Sequence, residues 1–151
     1  MPTNINEELI MFLRQDELDY PGAAAKFGAA VLPLLTELIN SDDENLAVKA
    51  AYLAGYIKDS AAIDVINKAA SNKFSAVRVA AAFGAQQLKT ADATAVLEQS
   101  LADNDPGVLK VAMRSVSNMN LAKSFKTQLS KIAKVHSDDL IKNLATDLGK
   151  K

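Results

Sequence analysis

Apolar residues recur along this chain at a fixed step of 31 residues, and that step decides what it can fold into. Leu46, Val77 and Val108 are equally spaced, as are Ala50, Ala81 and Ala112, then Tyr52 and Phe83, and Ile57, Leu88 and Met119. A second set lies later in each unit: Leu32, Ile63, Thr94 and Phe125; Leu34, Val65 and Val96; Leu35, Ile66 and Leu97; Ile39, Ala70, Leu101 and Ile132. Beyond about residue 126 the step gains one residue, since Leu140 follows Val108 by 32. Agreement at this many columns marks an internal repeat. Within a unit the spacing is helical: Leu46, Ala50, Leu53 and Ile57 fall on one stripe, and Ile63, Ile66 and Ala70 on another. Strand alternation is missing. A pair of helices this short cannot close a core alone, so neighbouring pairs must stack and share one. The expected fold is therefore all-α, an α-solenoid of antiparallel helix pairs.

Turn chemistry places the helices. Asp19 with Pro21 opens one, and Asp105 followed by Pro106 opens another with an N-cap and a proline in the first turn. Ser41 stands three residues before Glu44, the spacing of a capping box. Asp59, Ser60 and Thr90 are read as caps between paired helices, and the Ser137, Asp138, Asp139 run as the cap of the last. These signals give helices near 5–15, 19–27, 29–40, 43–57, 60–71, 73–89, 91–102, 106–119, 121–134 and 138–148. Residues 1–18 read as an N-terminal capping helix and 19–151 as one continuous array.

Composition agrees with a scaffold more than with a catalyst. The chain has 26 alanines in 151 residues, no cysteine, no tryptophan and one histidine. Alanine is the best helix former and lets helices approach closely. Without cysteine there is no disulfide framework, thiolate nucleophile or Cys-ligated metal, and one histidine removes sites needing several imidazoles. No Gly-rich phosphate loop or other cofactor motif is present, so no cofactor and no enzymatic activity are expected. The first nine residues include Glu7 and Glu8 where a signal peptide needs positive charge, and the apolar run 28–35 is too short to cross a bilayer and holds Pro33. The expectation is a soluble cytoplasmic protein with no membrane partner. Net charge is −1, which hides an asymmetry: residues 1–75 carry 11 acidic and 6 basic side chains, residues 76–151 carry 7 and 11.

The unit itself resembles the HEAT-repeat family, in the short-repeat branch found in phycobilisome-lyase-like proteins. Residues 41–71 read as an acidic opening, Leu46, Ala50-Ala51, Ala54-Gly55, the Asp59 turn and Val65-Ile66. Residues 72–102 give Val77-Arg78, Ala80-Ala81-Ala82 and Val96-Leu97, and the next unit opens Asp105-Pro106-Gly107-Val108. The likeness covers about residues 19–148. It implies a ladder in which an Asp of one repeat binds an Arg of the next. At those columns only Asp59 and Arg78 remain; Thr90, Leu121, Ala47 and Leu109 fill the others. Gly55 and Gly84 are 29 apart, not 31, which points to a different helix pairing around residues 73–89. The branch also implies an alternative activity, help in attaching a bilin to a carrier protein.

Candidate functional residues follow from the register. His136 beside Ser137 reads as a residue at a helix start rather than a proton acceptor or metal ligand, and the Glu7-Glu8 and Asp42-Asp43-Glu44 clusters as helix N-terminal charges. Lys123, Lys126, Lys131 and Lys134 form a stripe opposite Phe125, Leu129 and Ile132. Four lysines without arginine or exposed aromatics are a poor nucleic-acid footprint, so the stripe reads first as a solvated helix face, with weak nucleic-acid binding as an alternative function. Solenoids commonly bind through their second helices, which line the concave side. The outward columns there are Pro33, Asp64, Ala95 and Lys126; Thr36, Asn67, Glu98 and Ser130; and Glu37, Lys68, Gln99 and Lys131. Asp64, Asn67, Lys68, Glu98, Gln99, Lys126 and Lys131 are the expected contact residues for another protein or peptide. Self-association through the solenoid ends is a further expectation.

Overall fold

A computed structural model describes residues 4–151; Met1, Pro2 and Thr3, part of the expected capping segment, lie outside the described residues. Among the described residues ten α-helices follow one another: α1 (Ile5–Leu13), α2 (Tyr20–Phe27), α3 (Leu32–Ile39), α4 (Glu44–Tyr56), α5 (Ala61–Ala69), α6 (Ser75–Gly84), α7 (Thr90–Leu101), α8 (Pro106–Asn118), α9 (Lys126–Val135) and α10 (Asp139–Gly149). No strand occurs among the described residues. Two layers form. The first helices α2, α4, α6, α8 and α10 stack in order, and the second helices α3, α5, α7 and α9 stack beside them. The all-α solenoid read from the repeat is the fold.

Repeat columns become core. Leu35, Ile66 and Leu97 are buried, as are Ile39, Ala70, Leu101 and Ile132. In α9 both Leu129 and Ile132 are buried, Leu129 standing 32 residues after Leu97 and Ile132 standing 31 after Leu101. The turn after α8 has its own geometry: Asn120 takes a left-handed conformation (φ 58) and Leu121 N–H donates to Val116 O at 2.9 Å. That is a Schellman-type ending with Asn in the position that glycine usually takes. The earlier second helices are entered differently, with α4 and the 3₁₀ turn Ala85–Gln87 passing into extended backbone at Ile57 and Leu88.

Three expected helices are shorter than their apolar pattern. The segment 29–40 begins as the 3₁₀ turn Gly28–Val31 because Gly28 (φ 60) ends α2 and Pro33 sets the start of α3. Segments 73–89 and 121–134 likewise contain the 3₁₀ turns Ala85–Gln87 and Ala122–Phe125. Tyr20–Ile39 is 20 residues with a mean hydropathy of 1.4, long and apolar enough by length and composition to cross a membrane, unlike the run 28–35 taken alone. Here it is broken at Gly28 and Pro33, and Phe27, Val31, Leu32, Leu35 and Ile39 pack into the core.

The first-helix layer is the tight one, and small residues are the reason. Ala47, Ala50, Ala51, Ala54 and Gly55 of α4 and Ala80, Ala81 and Gly84 of α6 are all buried. A Cβ built on Gly55 would stand 3.1 Å from the Gly84 Cα, and one built on Gly84 would stand 3.4 Å from the Gly55 Cα. The two backbones meet where neither has a side chain. The 29-residue separation of these glycines is thus a contact register between neighbouring helices, offset from the 31-residue equivalence register. Between α6 and α8 a hydroxyl replaces the glycine: buried Ser115 Oγ donates to Ala82 O at 2.8 Å and accepts from Gln86 Nε2 at 2.9 Å.

Turns between repeats share one device that the sequence reading did not detect. Ser41 Oγ, Asn72 Oδ1, Asp103 Oδ1 and His136 Nδ1 each accept the backbone N–H two residues on, at 3.3, 2.9, 2.9 and 3.0 Å. In three of these turns that second residue is Asp43, Asp105 or Asp138, and it is the N-cap, accepting from Leu46, Val108 and Ile141 N–H at 3.1 Å each. The expected capping role of Ser41 therefore belongs to Asp43, while Ser41 Oγ also closes α3 by donating to Leu38 O at 2.7 Å. Thr90 is already inside α7, whose cap residue is Lys89 without a side-chain bond, and Ser60 makes none either. Asp59 holds its turn by accepting from Ala61 N–H at 2.8 Å.

The expected Asp59–Arg78 bond is absent, because the two lie at opposite ends of the stacked first helices: Asp59 follows the C-terminus of α4 and Arg78 sits in the first turn of α6. Arg78 instead binds Asp103 in the following turn, with Nε–Oδ2 at 2.7 Å and Nη2–Oδ1 at 3.4 Å, and donates from Nη1 to Asn72 O at 3.0 Å. The side chains are 23% and 10% exposed, so removal of one partner strands a largely desolvated charge. Asp103→Ala is expected to cost about 2–4 kcal/mol, somewhat below a fully buried pair, by urea unfolding. Gly84→Ala should stay within about 1 kcal/mol of wild type, since gained helix propensity offsets a tight contact, whereas Gly55→Val should cost about 1–3 kcal/mol by forcing the helices apart. Equal stabilities for Gly55→Val and wild type would contradict the close approach.

Candidate functional site

The second-helix columns are where the register put them. Asp64 and Lys68 of α5, Glu98 and Gln99 of α7, and Lys126 and Lys131 of α9 are exposed; Asn67 is half-buried beside them. Lys126 and Lys131 line a shallow depression of about 500 Å³ that also takes in Thr127, Ser130, Lys134 and Val135. The others form open surface. None of the six charged or amide side chains exposed there makes an ion pair or a side-chain hydrogen bond among the described residues, whereas Asp43, Asp59, Arg78, Asp103, Asp105 and Asp138 are all engaged in turns.

His136 Nδ1 is occupied by the Asp138 N–H, and no three of the described His, Asp and Glu residues stand together as a metal-holding group. Asp42 is fully exposed and bonded to Lys73; that hydrogen bond and the lysine's charge hold its carboxyl below the usual range. Two larger depressions, about 590 and 570 Å³, flank the 57–59 turn and share Ile57, Lys58, Asp59 and Gln87. Lys58 and Lys89 recur there at the 31-residue step, a spacing legible in the sequence.

A second surface feature emerges only in three dimensions. Six of the eight aromatic residues converge on the first-helix layer, although they are scattered from 12 to 83 in sequence. Tyr20 of α2 lies 5.8 Å from Tyr52 and 6.2 Å from Tyr56 of α4, nearly parallel to the latter; Phe83 of α6 is 5.9 Å from Tyr52, and Phe12 is 6.3 Å from both Tyr20 and Phe27. The Tyr52–Phe83 column was visible in the repeat; the contributions of α1 and α2 precede it and carry no 31-residue equivalent. Partial burial pushes the Tyr20 phenol up from 10.0 to about 12, reinforced by Tyr52 and Tyr56, and Tyr52 is raised for the same reasons.

Below pH 10 both folded and unfolded chains keep these protons. Between about 10 and 12 the unfolded chain ionises first, so the folded state loses stability as pH rises through that window. Tyrosinate absorbance of the folded chain should therefore include a step near pH 12 that disappears in Tyr20→Phe. A Tyr20 phenol that titrates at the ordinary value of about 10 would contradict the packed cluster.

A model of HEAT repeats matches residues 31–117, more than half the chain and spanning α3 to α8. No curated protein matches the chain. With paired helices, a stacked core and a matched repeat over most of its first and second helices, the chain belongs to the HEAT-repeat family.

Proposed function

We propose that this chain is a non-enzymatic scaffold or adaptor that binds another protein along the exposed face of its second helices. HEAT repeats commonly serve as protein-interaction scaffolds. The observation that carries the reading is the division of labour among charges. Those at the turns are consumed in holding repeats together, while Asp64, Lys68, Glu98, Lys126 and Lys131 are exposed and make no bond among the described residues. Asn67 and Gln99 add amide donors and acceptors between them. A partner segment lying across α5, α7 and α9 meets mixed, then acidic, then basic character, which fixes its direction by electrostatic complementarity more than by a deep pocket. In this reading residues 1–18 cap the array formed by 19–151.

The test is capture of the partner from the source cell on immobilised chain, with wild type beside the triple variant Asp64→Lys, Lys126→Glu, Lys131→Glu. All three positions are exposed, so circular dichroism should not change. Recovery of the bound protein should fall by about tenfold or more, since like charges now face one another. Equal recovery by both chains would overturn the second-helix face as the binding surface.

A further inference from the structure

We infer that a second copy of this chain is itself a ligand: the surface carried by α1 and the loop after it fits the surface carried by α9 and α10, so copies associate head to tail. Two separate distributions point to this contact. The first is apolar. Among the described residues the exposed large hydrophobic side chains are Ile5 (39%), Met11 (64%), Val135 (70%) and Leu140 (57%). Ile5 and Met11 belong to α1, and Val135 and Leu140 flank the α9–α10 turn. The helices between these two regions expose no large hydrophobic side chain.

The second distribution is charge. Residues 4–19 hold five acidic side chains, Glu7, Glu8, Asp16, Glu17 and Asp19, against Arg14 alone, whereas residues 121–151 hold seven lysines against three aspartates. The side-chain balances are −4 and +4. Some of the acidic groups are partly occupied within the chain, Glu8 by Lys26 at 4.0 Å and Asp19 by capping α2. Glu7, Asp16 and Glu17 are exposed, Glu7 with one carboxylate oxygen accepting from Asn4 Nδ2 at 3.4 Å.

The two patterns coincide at the level of single turns. Glu7 and Met11 are four residues apart and both exposed on α1, so they sit side by side on one face. Lys131 and Val135 are likewise four apart and both exposed on α9, lining the shallow depression of about 500 Å³ with Lys126 and Lys134. One surface offers an anion beside a flexible thioether; the other offers a cation beside a methyl-bearing side chain. Contact of either surface with its own copy would set an acidic surface against an acidic one, or a basic surface against a basic one. Contact between them satisfies both charge and apolar burial, and such a heterologous contact repeats from copy to copy.

The contact does not depend on the proposed protein partner, although it uses Lys131, and purified chain alone tests it. In sedimentation velocity the weight-average coefficient should rise with protein concentration at about 20 mM salt and return to the monomer value at about 0.5 M, where charges are screened beyond a few ångströms. Glu7→Lys with Glu17→Lys, and Lys131→Glu with Lys134→Glu, should each sediment as monomer at low salt. An equimolar mixture of the two variants should regain association, because each then supplies the charge the other has lost. Asp16→Lys with Glu17→Lys, outside any helix, replaces the first variant should the Glu7 substitution unfold α1. A wild type that stays monomeric at low salt, association that survives either reversal, or a mixture that fails to regain it would overturn the inference.

Discussion

The stack depends on how closely α4 and α6 approach. Two helices carrying ordinary side chains keep their axes about 8–10 Å apart. Here the crossing point is Gly55 against Gly84, and the surrounding positions are alanines, so the backbones are nearly in contact. A close approach gains many weak dispersion contacts per residue and leaves no void for water, but only if the opposing surface is equally bare. Each alanine in α4 therefore constrains the residue type it meets in α6. The second helices have no such requirement. They carry the larger Leu35, Ile66, Leu97 and Leu129 inward and are free to present polar side chains outward.

Polar groups complete what the small residues begin. At the α6–α8 crossing Ser115 brings a hydroxyl into the core and satisfies it twice, on Ala82 O and Gln86, and the chain of bonds continues outward to Asn118. The repeat-to-repeat turns apply a common geometry with four different side chains: a hydroxyl, an amide, a carboxylate and an imidazole all accept the amide two residues on. Chemical identity is exchangeable because only a short acceptor is required. Where the side chain can do more, it reaches the neighbouring repeat: Asn72 donates to Ile39 O at 2.8 Å, and Asp103 receives Arg78. His136 joins this series as a turn acceptor.

Helix positions and core columns were legible because burial at a 3.6-residue period leaves a strong trace in the sequence, and a 31-residue repeat displays that trace several times. The outward second-helix columns were legible for the same reason, since a position opposite a buried stripe is exposed. Contacts between repeats were not. Gly55 and Gly84 break the 31-residue register because facing residues on stacked helices are not equivalent residues, and a column count cannot see that offset. The Arg78 partner was misplaced because Asp59 and Asp103 both stand in turns, and only the fold tells which turn lies beside the start of α6. The aromatic cluster escaped because Phe12 and Tyr20 precede the repeats that supply Tyr52, Tyr56 and Phe83.

If the tight α4–α6 contact organises the rest, local stability should fall away from it in both directions, as in a one-dimensional stack whose members are held by their neighbours. Native-state amide hydrogen exchange measures this helix by helix. The slowest amides should lie in α4, α6 and α8 and exchange only by global unfolding, while α1 and α10 open at lower free energy. Protection in α4 and α6 equal to or weaker than that in α1 and α10 would contradict the account.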